Sequence, residues 1–222
     1  MIEFEDFSKN YSKKSIISKS NFKLKSNNIS FLMGPNGSGK TTLIKCMLGM
    51  EYYNGKIVFD GNDIDKVRDN CLVIWDDCPF YTNLSGLENL MILGEGKKSR
   101  EQIKEVAVNY LDNDLLRKKV NTYSYGQKKK LALLLVEVLE PDYLFMDEIS
   151  NGLDYEMMRT LTKKIKKWAE KMSILVTGHQ FSFYNEIVDS LLVFKDKQII
   201  ISNENFNKSN KSLEDIYDEQ TY

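Results

Sequence analysis

The segment of residues 34–42 constrains the fold of this chain most, and it reads Gly-Pro-Asn-Gly-Ser-Gly-Lys-Thr-Thr. A short apolar run, residues 29–33, precedes it, and residues 41–48 have the spacing of a helix. Glycines let a backbone fold tightly with successive N–H groups pointing inward, and the N-terminus of the following helix adds positive partial charge. A strand, such a loop and a helix in this order predict a phosphate-binding loop in an α/β fold.

Residue types within the loop predict the ligands. The Lys40 ammonium is expected to contact the β- and γ-phosphates of a nucleotide, and the Thr41 hydroxyl is placed to bind Mg²⁺. The other loop residues expected to bind the nucleotide are Gly34, Asn36, Gly37, Ser38, Gly39 and Thr42. The expected ligands are therefore ATP and Mg²⁺.

A second apolar run, residues 143–146, ends in two carboxylates, Asp147 and Glu148. The carboxyl ends of parallel strands meet at one edge of a sheet, which would bring both acids beside the phosphate loop. Asp147 is expected to hold Mg²⁺ through water, and Glu148 to act as the general base for an attacking water. Two acids after a strand more often belong to a turn or helix start, but the preceding phosphate loop favours catalysis.

Hydrophobic periodicity predicts the wider organisation. Apolar residues alternate with polar ones near both ends of residues 2–24, which indicates antiparallel strands. Helical spacing dominates about residues 84–139, an insert between two halves in which strands and helices alternate. We therefore expect one domain over residues 1–205, with a largely parallel sheet covered by helices. Residues 206–222 form a polar tail to which we assign no role.

Composition excludes several classes of function. The 31 basic and 32 acidic residues nearly cancel, so no overall field attracts nucleic acid or an anionic membrane. The longest apolar stretch, residues 131–136, is too short to span a bilayer, and the acidic N-terminus is not a signal peptide. Cys46, Cys71 and Cys78 lack metal-ligand spacing, which favours reduced cytosolic thiols. A membrane role would have to come through a partner.

Four further segments carry a family resemblance. Residues 123–127, Tyr-Ser-Tyr-Gly-Gln, resemble the L-S-G-G-Q signature of ABC ATPases. Residues 150–154 resemble the D-loop of that family, residues 177–179 its switch histidine, and Tyr11 its adenine-stacking aromatic. Together with the phosphate loop, the resemblance covers residues 2–202, and it implies an ABC-type P-loop NTPase core with an antiparallel N-terminal β-subdomain and a helical subdomain insert.

The resemblance also implies site roles. Tyr11 would stack on adenine, His179 would contact the γ-phosphate and hold the attacking water, and Asp154 would join the nucleotide site. A serine followed by small residues at a helix start is itself an anion site. In the family this second site faces the γ-phosphate held by another subunit. The resemblance assigns that contact to Ser124, Gly126 and Gln127 of this chain. A dimer of two copies, or with a related ATPase, is therefore expected.

Two positions depart from the family pattern. Tyr125 replaces the first glycine of the signature, and we expect its side chain to point outward while the Gly126 backbone meets the phosphate. Aligning residues 83–90 with the family puts Asp76 at the Q-loop glutamine, and a shift by one residue would make it Asp77. Asp76 is expected to sense Mg²⁺ through water, with altered coupling to the partner.

The resemblance implies the ATP-hydrolysing subunit of a transporter, located at the cytoplasmic face of a membrane through a separate permease. Similarity to bacterial exporters of antimicrobial peptides and other drugs favours export, and no nucleic-acid partner is expected. The alternative is a soluble ABC ATPase without a permease, such as an iron–sulfur assembly protein. DNA-repair relatives need a long coiled coil and translation factors need two cassettes, and this chain has neither. An inactive relative would lack Lys40, Glu148 or His179, which are all present.

Overall fold

The computed structural model describes residues 1–219 with their side chains and residues 220 and 221 by their backbone. The strands of this range are β1 (Ile2–Tyr11), β2 (Lys14–Leu24), β3 (Ile29–Met33), β4 (Asn54–Phe59), β5 (Cys71–Ile74), β6 (Tyr143–Met146), β7 (Ser173–Val176), β8 (Ser190–Lys195) and β9 (Gln198–Asn203). Its α-helices are α1 (Lys40–Met47), α2 (Ile64–Val67), α3 (Gly86–Leu93), α4 (Arg100–Val108), α5 (Asn113–Arg117), α6 (Tyr125–Leu139), α7 (Tyr155–Ala169), α8 (Phe181–Asn185) and α9 (Leu213–Thr221).

The chain divides into two compact units. The first unit contains Met1–Val73 together with the chain from Asp142 onwards, and the second is Ile74–Pro141. The first unit is therefore discontinuous in sequence. None of the helices in the described residues is both long enough and apolar enough to cross a membrane.

An antiparallel sheet of three strands, in the order β2-β1-β4, forms one layer of the first unit. The predicted alternation is present, because Ile2 pairs with Leu24 and Phe4 with Phe22, and all four side chains are buried. The Phe4 and Phe22 rings stack with their centroids 4.0 Å apart. The sequence prediction of antiparallel N-terminal strands is confirmed.

A six-stranded sheet with the order β5-β6-β7-β3-β8-β9 carries the core of the first unit. Strand β3 pairs in parallel with both β7 and β8, β7 pairs in parallel with β6, and β9 adds an antiparallel edge. Strands β3, β6 and β7 are buried along their whole length, which explains their continuous apolar runs. Their carboxyl ends share one edge, and the predicted α/β class is confirmed.

The second unit is built from helices α3 to α6, with Leu90, Ile103, Leu131 and Leu134 in its core. Helices α3, α4 and α6 each begin with a serine N-cap in a capping box. Helix α6 begins at Tyr125 because Ser124 supplies the cap.

The polar tail packs on the first unit through helix α9. Leu213 and Ile216 are buried, and the Phe181 and Tyr217 rings lie 5.2 Å apart. The last residue of the predicted tail, at position 222, lies outside the described residues.

Candidate functional site

The phosphate loop joins β3 to α1 in the first unit, and two of its glycines are required by geometry. Gly39 is the N-cap of α1 with φ 116°, a left-handed conformation that side chains other than glycine rarely adopt. A Cβ on Gly34 would lie 2.9 Å from Ser38 Oγ and 3.0 Å from Phe194 Cβ. The loop therefore closes tightly because both positions lack a side chain.

Lys40 turns its charged end back into the loop. Its Nζ donates to Gly34 O at 2.8 Å and to Pro35 O at 3.2 Å, and the residue is only 7% exposed. Burial lowers the pKa of Lys40, while the Glu148 and Asp147 carboxylates oppose that shift. The ammonium is thus held near two acids at the mouth of the loop.

The Ser38 hydroxyl is buried and has no hydrogen-bond partner among the residues that the structure describes. A buried polar atom without a partner is unfavourable, so such an atom indicates a missing ligand. The adjoining cleft of about 340 Å³ is of the size that ligand sites have. Its lining residues are Ile16, Asn36, Gly37, Gly39, Lys40, Thr41, Thr42 and Glu148.

Asp147 connects the loop with the neighbouring strand. Its Oδ2 accepts from Thr41 Oγ1 at 2.7 Å, and its Oδ1 accepts from Thr177 Oγ1 at 2.6 Å. Thr177 follows β7, which lies between β6 and β3, so its hydroxyl reaches the acid that follows β6. A hydroxyl and a carboxylate side by side are oxygen ligands of the kind Mg²⁺ prefers, so these residues fit the predicted ion.

Glu148 and His179 meet beside the loop. His179 Nε2 lies 2.7 Å from Asn36 Oδ1 and 3.4 Å from Glu148 Oε1. Both oxygens are acceptors, so this arrangement requires a proton on Nε2. Glu148 has a left-handed backbone, φ 55°, and its N–H donates to Thr177 Oγ1 at 3.2 Å. The predicted base and the predicted switch histidine are therefore in contact within the first unit.

Tyr11 lies at the end of β1 beside a polar cluster. Lys9 Nζ is 4.3 Å from the centroid of the Tyr11 ring and donates to Glu51 Oε2 at 2.9 Å and to Tyr52 O at 2.7 Å. Partial burial and the adjacent Glu51 raise the pKa of the Tyr11 hydroxyl. Tyr11 is 43% exposed, which leaves surface for a stacked base.

Asp154 caps helix α7, since its Oδ1 accepts from Met157 N at 2.8 Å. The residues before it are anchored by Tyr184, whose hydroxyl donates to Thr177 O at 2.8 Å and lies 3.2 Å from Ser150 Oγ. This segment is thus attached to the end of β7 in the first unit.

The remaining predicted residues belong to the second unit. Ser124 Oγ accepts from Gln127 N at 3.3 Å, and Gln127 Oε1 accepts from Ser124 N at 2.8 Å, with Gly126 between them in the first turn of α6. Tyr125 is 40% exposed, but its side chain does not point freely outward, because its hydroxyl donates to Asp76 Oδ1 at 2.5 Å. Asp76 thus lies with the signature helix in this unit.

Comparison with known proteins identifies the family. The family model described as "ABC transporter" matches residues 17–151, more than half of the 222 residues. The chain belongs to this family. Its ATP-binding domains are ATPases, so the predicted family, fold and enzyme class are confirmed.

Relatives of this ABC transporter chain include proteins named for L-cystine import and for lantibiotic transport. The L-cystine import ATP-binding protein TcyC of Bacillus subtilis is 26% identical over 223 residues, covering 90% of this chain and 89% of TcyC. The lantibiotic transport ATP-binding protein SrtF of Streptococcus pyogenes is 27% identical over 229 residues, covering 99% of this chain and 97% of SrtF.

Solved structures have the same fold. An ATP-binding subunit of an ABC transporter aligns over 100% of both chains with a TM-score of 0.86 and 21% identity. CbiO1 from Clostridium perfringens, part of the ABC transporter complex cbiONQ, aligns over 91% of this chain and 88% of its own, with a TM-score of 0.77 and 23% identity.

Three residues that contact predicted site residues of this ABC transporter chain escaped the sequence reasoning. Thr177 has no sequence signal beyond its place before Gly178, although its hydroxyl contacts Asp147. Lys9 and Lys129 carried no signal, because lysines usually face solvent, yet both are buried. The contacts of all three residues depend on which distant parts of the chain become neighbours, and the local sequence does not show this.

Proposed function

We propose that this ATPase drives export through a separate membrane permease, with the loop, the acid pair and the histidine as its catalytic centre. The observation that carries the assignment of this catalytic centre is that the ends of three strands meet. The loop follows β3, the acids follow β6 and His179 follows β7, and there His179 Nε2 contacts both Asn36 Oδ1 and Glu148 Oε1.

Each residue has a separate part in hydrolysis. Lys40, the Ser38 hydroxyl and the loop N–H groups hold the phosphates and attract the charge that develops on them. Glu148 accepts a proton from the water that attacks the γ-phosphorus. His179 donates from Nε2 to Asn36 and Glu148 and thereby holds Glu148 in place beside the phosphate. Tyr11 supplies a stacking surface for adenine.

Thr41 and Asp147 would hold Mg²⁺. The ion, when bound, neutralises negative charge on the phosphate oxygens. The chain's own contribution is a pair of oxygens 2.7 Å apart, with Thr177 fixing the second carboxylate oxygen at 2.6 Å. The role of Asp76 as a Mg²⁺ sensor stays a prediction.

The proposed partner is a second nucleotide-binding subunit, either another copy or a related ATPase. Ser124 is the N-cap of α6, and Gly126 and Gln127 lie in its first turn, whose N–H groups attract anions. We infer that this turn meets the γ-phosphate bound by the partner, that Asp154 of the first unit contributes to nucleotide binding, and that ATP therefore closes the dimer.

Export is supported by the lantibiotic-transport relative, which this chain matches over 99% of its own length. Import is the second candidate, because the cystine-import relative has nearly the same identity. In either case the chain would be held at the cytoplasmic face of a membrane by its permease.

ATPase activity of Glu148→Gln, with size-exclusion chromatography in ATP and Mg²⁺, tests the catalytic centre. Loss of the base is expected to reduce kcat by about 10²–10⁴-fold, and the variant should elute as a dimer only with ATP. Glu170→Gln, which changes an exposed acid of the same unit, should leave both readouts unchanged. Equal rates for wild type and Glu148→Gln would contradict this assignment.

Deletion of the gene distinguishes the direction of transport. Export predicts that the deletion strain becomes more sensitive to membrane-active peptides while amino-acid uptake is unchanged. Unchanged sensitivity with reduced uptake of an amino acid would favour import instead.

A further inference from the structure

The two positions at which the sequence departs from the family pattern contact each other within the second unit. The Tyr125 hydroxyl donates to Asp76 Oδ1 at 2.5 Å and also lies 3.1 Å from Asp76 O. The sequence positions are 49 residues apart, so nothing in local structure requires this contact. The tyrosine at the first signature glycine and the aspartate at the Q-loop position are therefore joined by a direct contact.

A buried charge joins the pair. Lys129 lies one turn into α6, is 0% exposed, and pairs its Nζ with Asp76 Oδ1 at 3.3 Å. The same Nζ is 5.2 Å from the centroid of the Tyr125 ring, which adds a cation–π contact. A buried ammonium needs an opposite charge, so a neutral glutamine at position 76 would leave Lys129 poorly compensated.

The contacts hold a tight turn close to where the chain enters the second unit at Ile74. Cys78 N donates to Trp75 O at 3.2 Å, and Cys78 itself has φ 46°. The other end of the arrangement is Tyr125, the residue after the Ser124 N-cap. A shift of this turn therefore has to move the start of α6 or break the contact.

We propose that Tyr125, Asp76 and Lys129 form a latch in which Tyr125 and Lys129 are positioning residues for Asp76. The latch makes the turn of residues 75–78 and the signature serine move as one body. Its consequence for hydrolysis rests on the proposed function, because the signature is taken to meet the partner's nucleotide. Asp76 and Tyr125 both depart from the family pattern, and in this latch each residue depends on the other for its position.

Hydrogen exchange measured on the purified chain tests the latch without requiring activity. Tyr125→Phe removes only the hydroxyl, and amide exchange in residues 75–78 is expected to rise about tenfold, since a hydrogen bond to a charged group is lost. Tyr110→Phe is the matched control, because Tyr110 is also 40% exposed and donates to a carboxylate of this unit, Glu137, at 2.5 Å. It should leave residues 75–78 unchanged. Equal exchange in wild type and Tyr125→Phe overturns the latch.

Steady-state kinetics of Tyr125→Phe, Asp76→Asn and the double variant test the positioning role. Each single change is expected to lower kcat about fivefold with KM for ATP unchanged, and the double variant should be no worse than the poorer single one. If the kcat losses of the two single variants multiply in the double variant, Tyr125 does not act through Asp76 and the positioning role is overturned. An inactive wild-type chain would count against the proposed function, while the exchange result would still decide the latch.

Discussion

Thr177 is the residue on which the two acids of the site depend. Its hydroxyl donates to Asp147 Oδ1 at 2.6 Å and accepts from Glu148 N at 3.2 Å, so one side chain orients both carboxylate-bearing residues. Asp147 is buried, which means that losing this donor leaves an oxygen without a substitute from water. Thr177, which is neither a proposed metal ligand nor the proposed base, therefore sets the geometry of both Asp147 and Glu148.

Replacing Thr177 by valine keeps its shape and removes the hydroxyl. We expect the free energy of unfolding to fall by about 1–3 kcal/mol, because a buried carboxylate loses a hydrogen bond. We expect kcat to fall about tenfold, measured by phosphate release.

Thr177→Ser, which retains the hydroxyl, should recover most of the lost kcat. A valine variant as active as wild type would mean that Asp147 and Glu148 are oriented without Thr177.

Sequence reasoning identified the site residues whose spacing along the chain is diagnostic, such as the loop from Gly34 to Thr42 and the acids after β6. It missed Thr177, because the contact requires β7 to lie between β6 and β3, and no local pattern encodes that order. It missed the contact of Tyr125 with Asp76 for the same reason, although both had been singled out as unusual.

At the scale of elements, the second unit begins three of its helices in the same way. Ser85 with Glu88, Ser99 with Gln102 and Ser124 with Gln127 are reciprocal capping boxes. The signature serine is therefore a structural cap as well as a proposed anion ligand. These two roles can be separated because Ser99 has only the first.

Ser124→Ala and Ser99→Ala are each expected to reduce the free energy of unfolding by about 1 kcal/mol, the usual value of a serine cap. Only Ser124→Ala should also impair ATP hydrolysis, because the other helix start has no proposed nucleotide contact. Urea unfolding and phosphate release on both variants measure the two effects. If the two variants lose activity equally, the signature serine acts through helix stability alone.

Most elements followed from hydrophobic pattern, but strand β9 did not. Its hairpin turn is Asp196-Lys197, and both residues have positive φ, 50° and 64°. Such turns usually contain Asn-Gly or Asp-Gly, so the sequence lacks the ordinary hairpin signal. The strand also lies at an edge of the sheet, where Ile200 remains exposed, so its apolar run did not indicate burial.

At the scale of the whole molecule, each of the two compact units contains one buried cysteine. Burial raises the pKa of Cys46 in the first unit to about 11 and that of Cys78 in the second unit to about 11. A raised pKa means less thiolate, so at pH 8 only about 10⁻³ of each thiol is reactive in the native state. These thiols can therefore report the unfolding of each unit.

Alkylation by iodoacetamide, followed by mass spectrometry along a urea series, should show slow labelling of both cysteines in the native protein. Native labelling should rise about tenfold between pH 8 and pH 9, because the native pKa lies above both values. Cys78 is expected to become reactive at lower urea than Cys46, since the smaller unit buries a smaller fraction of its surface. Simultaneous exposure would indicate that the chain unfolds as one cooperative body.

The order of strands in the larger sheet has a consequence for synthesis on the ribosome. Strand β3 emerges early, yet both of its partners, β7 and β8, begin only at Ser173 and Ser190. Pairings between such distant segments form slowly and leave apolar surface exposed meanwhile. The nascent phosphate loop is therefore expected to form only after β7 and β8 have been translated, so a product terminated before Ser190 should be unable to bind nucleotide.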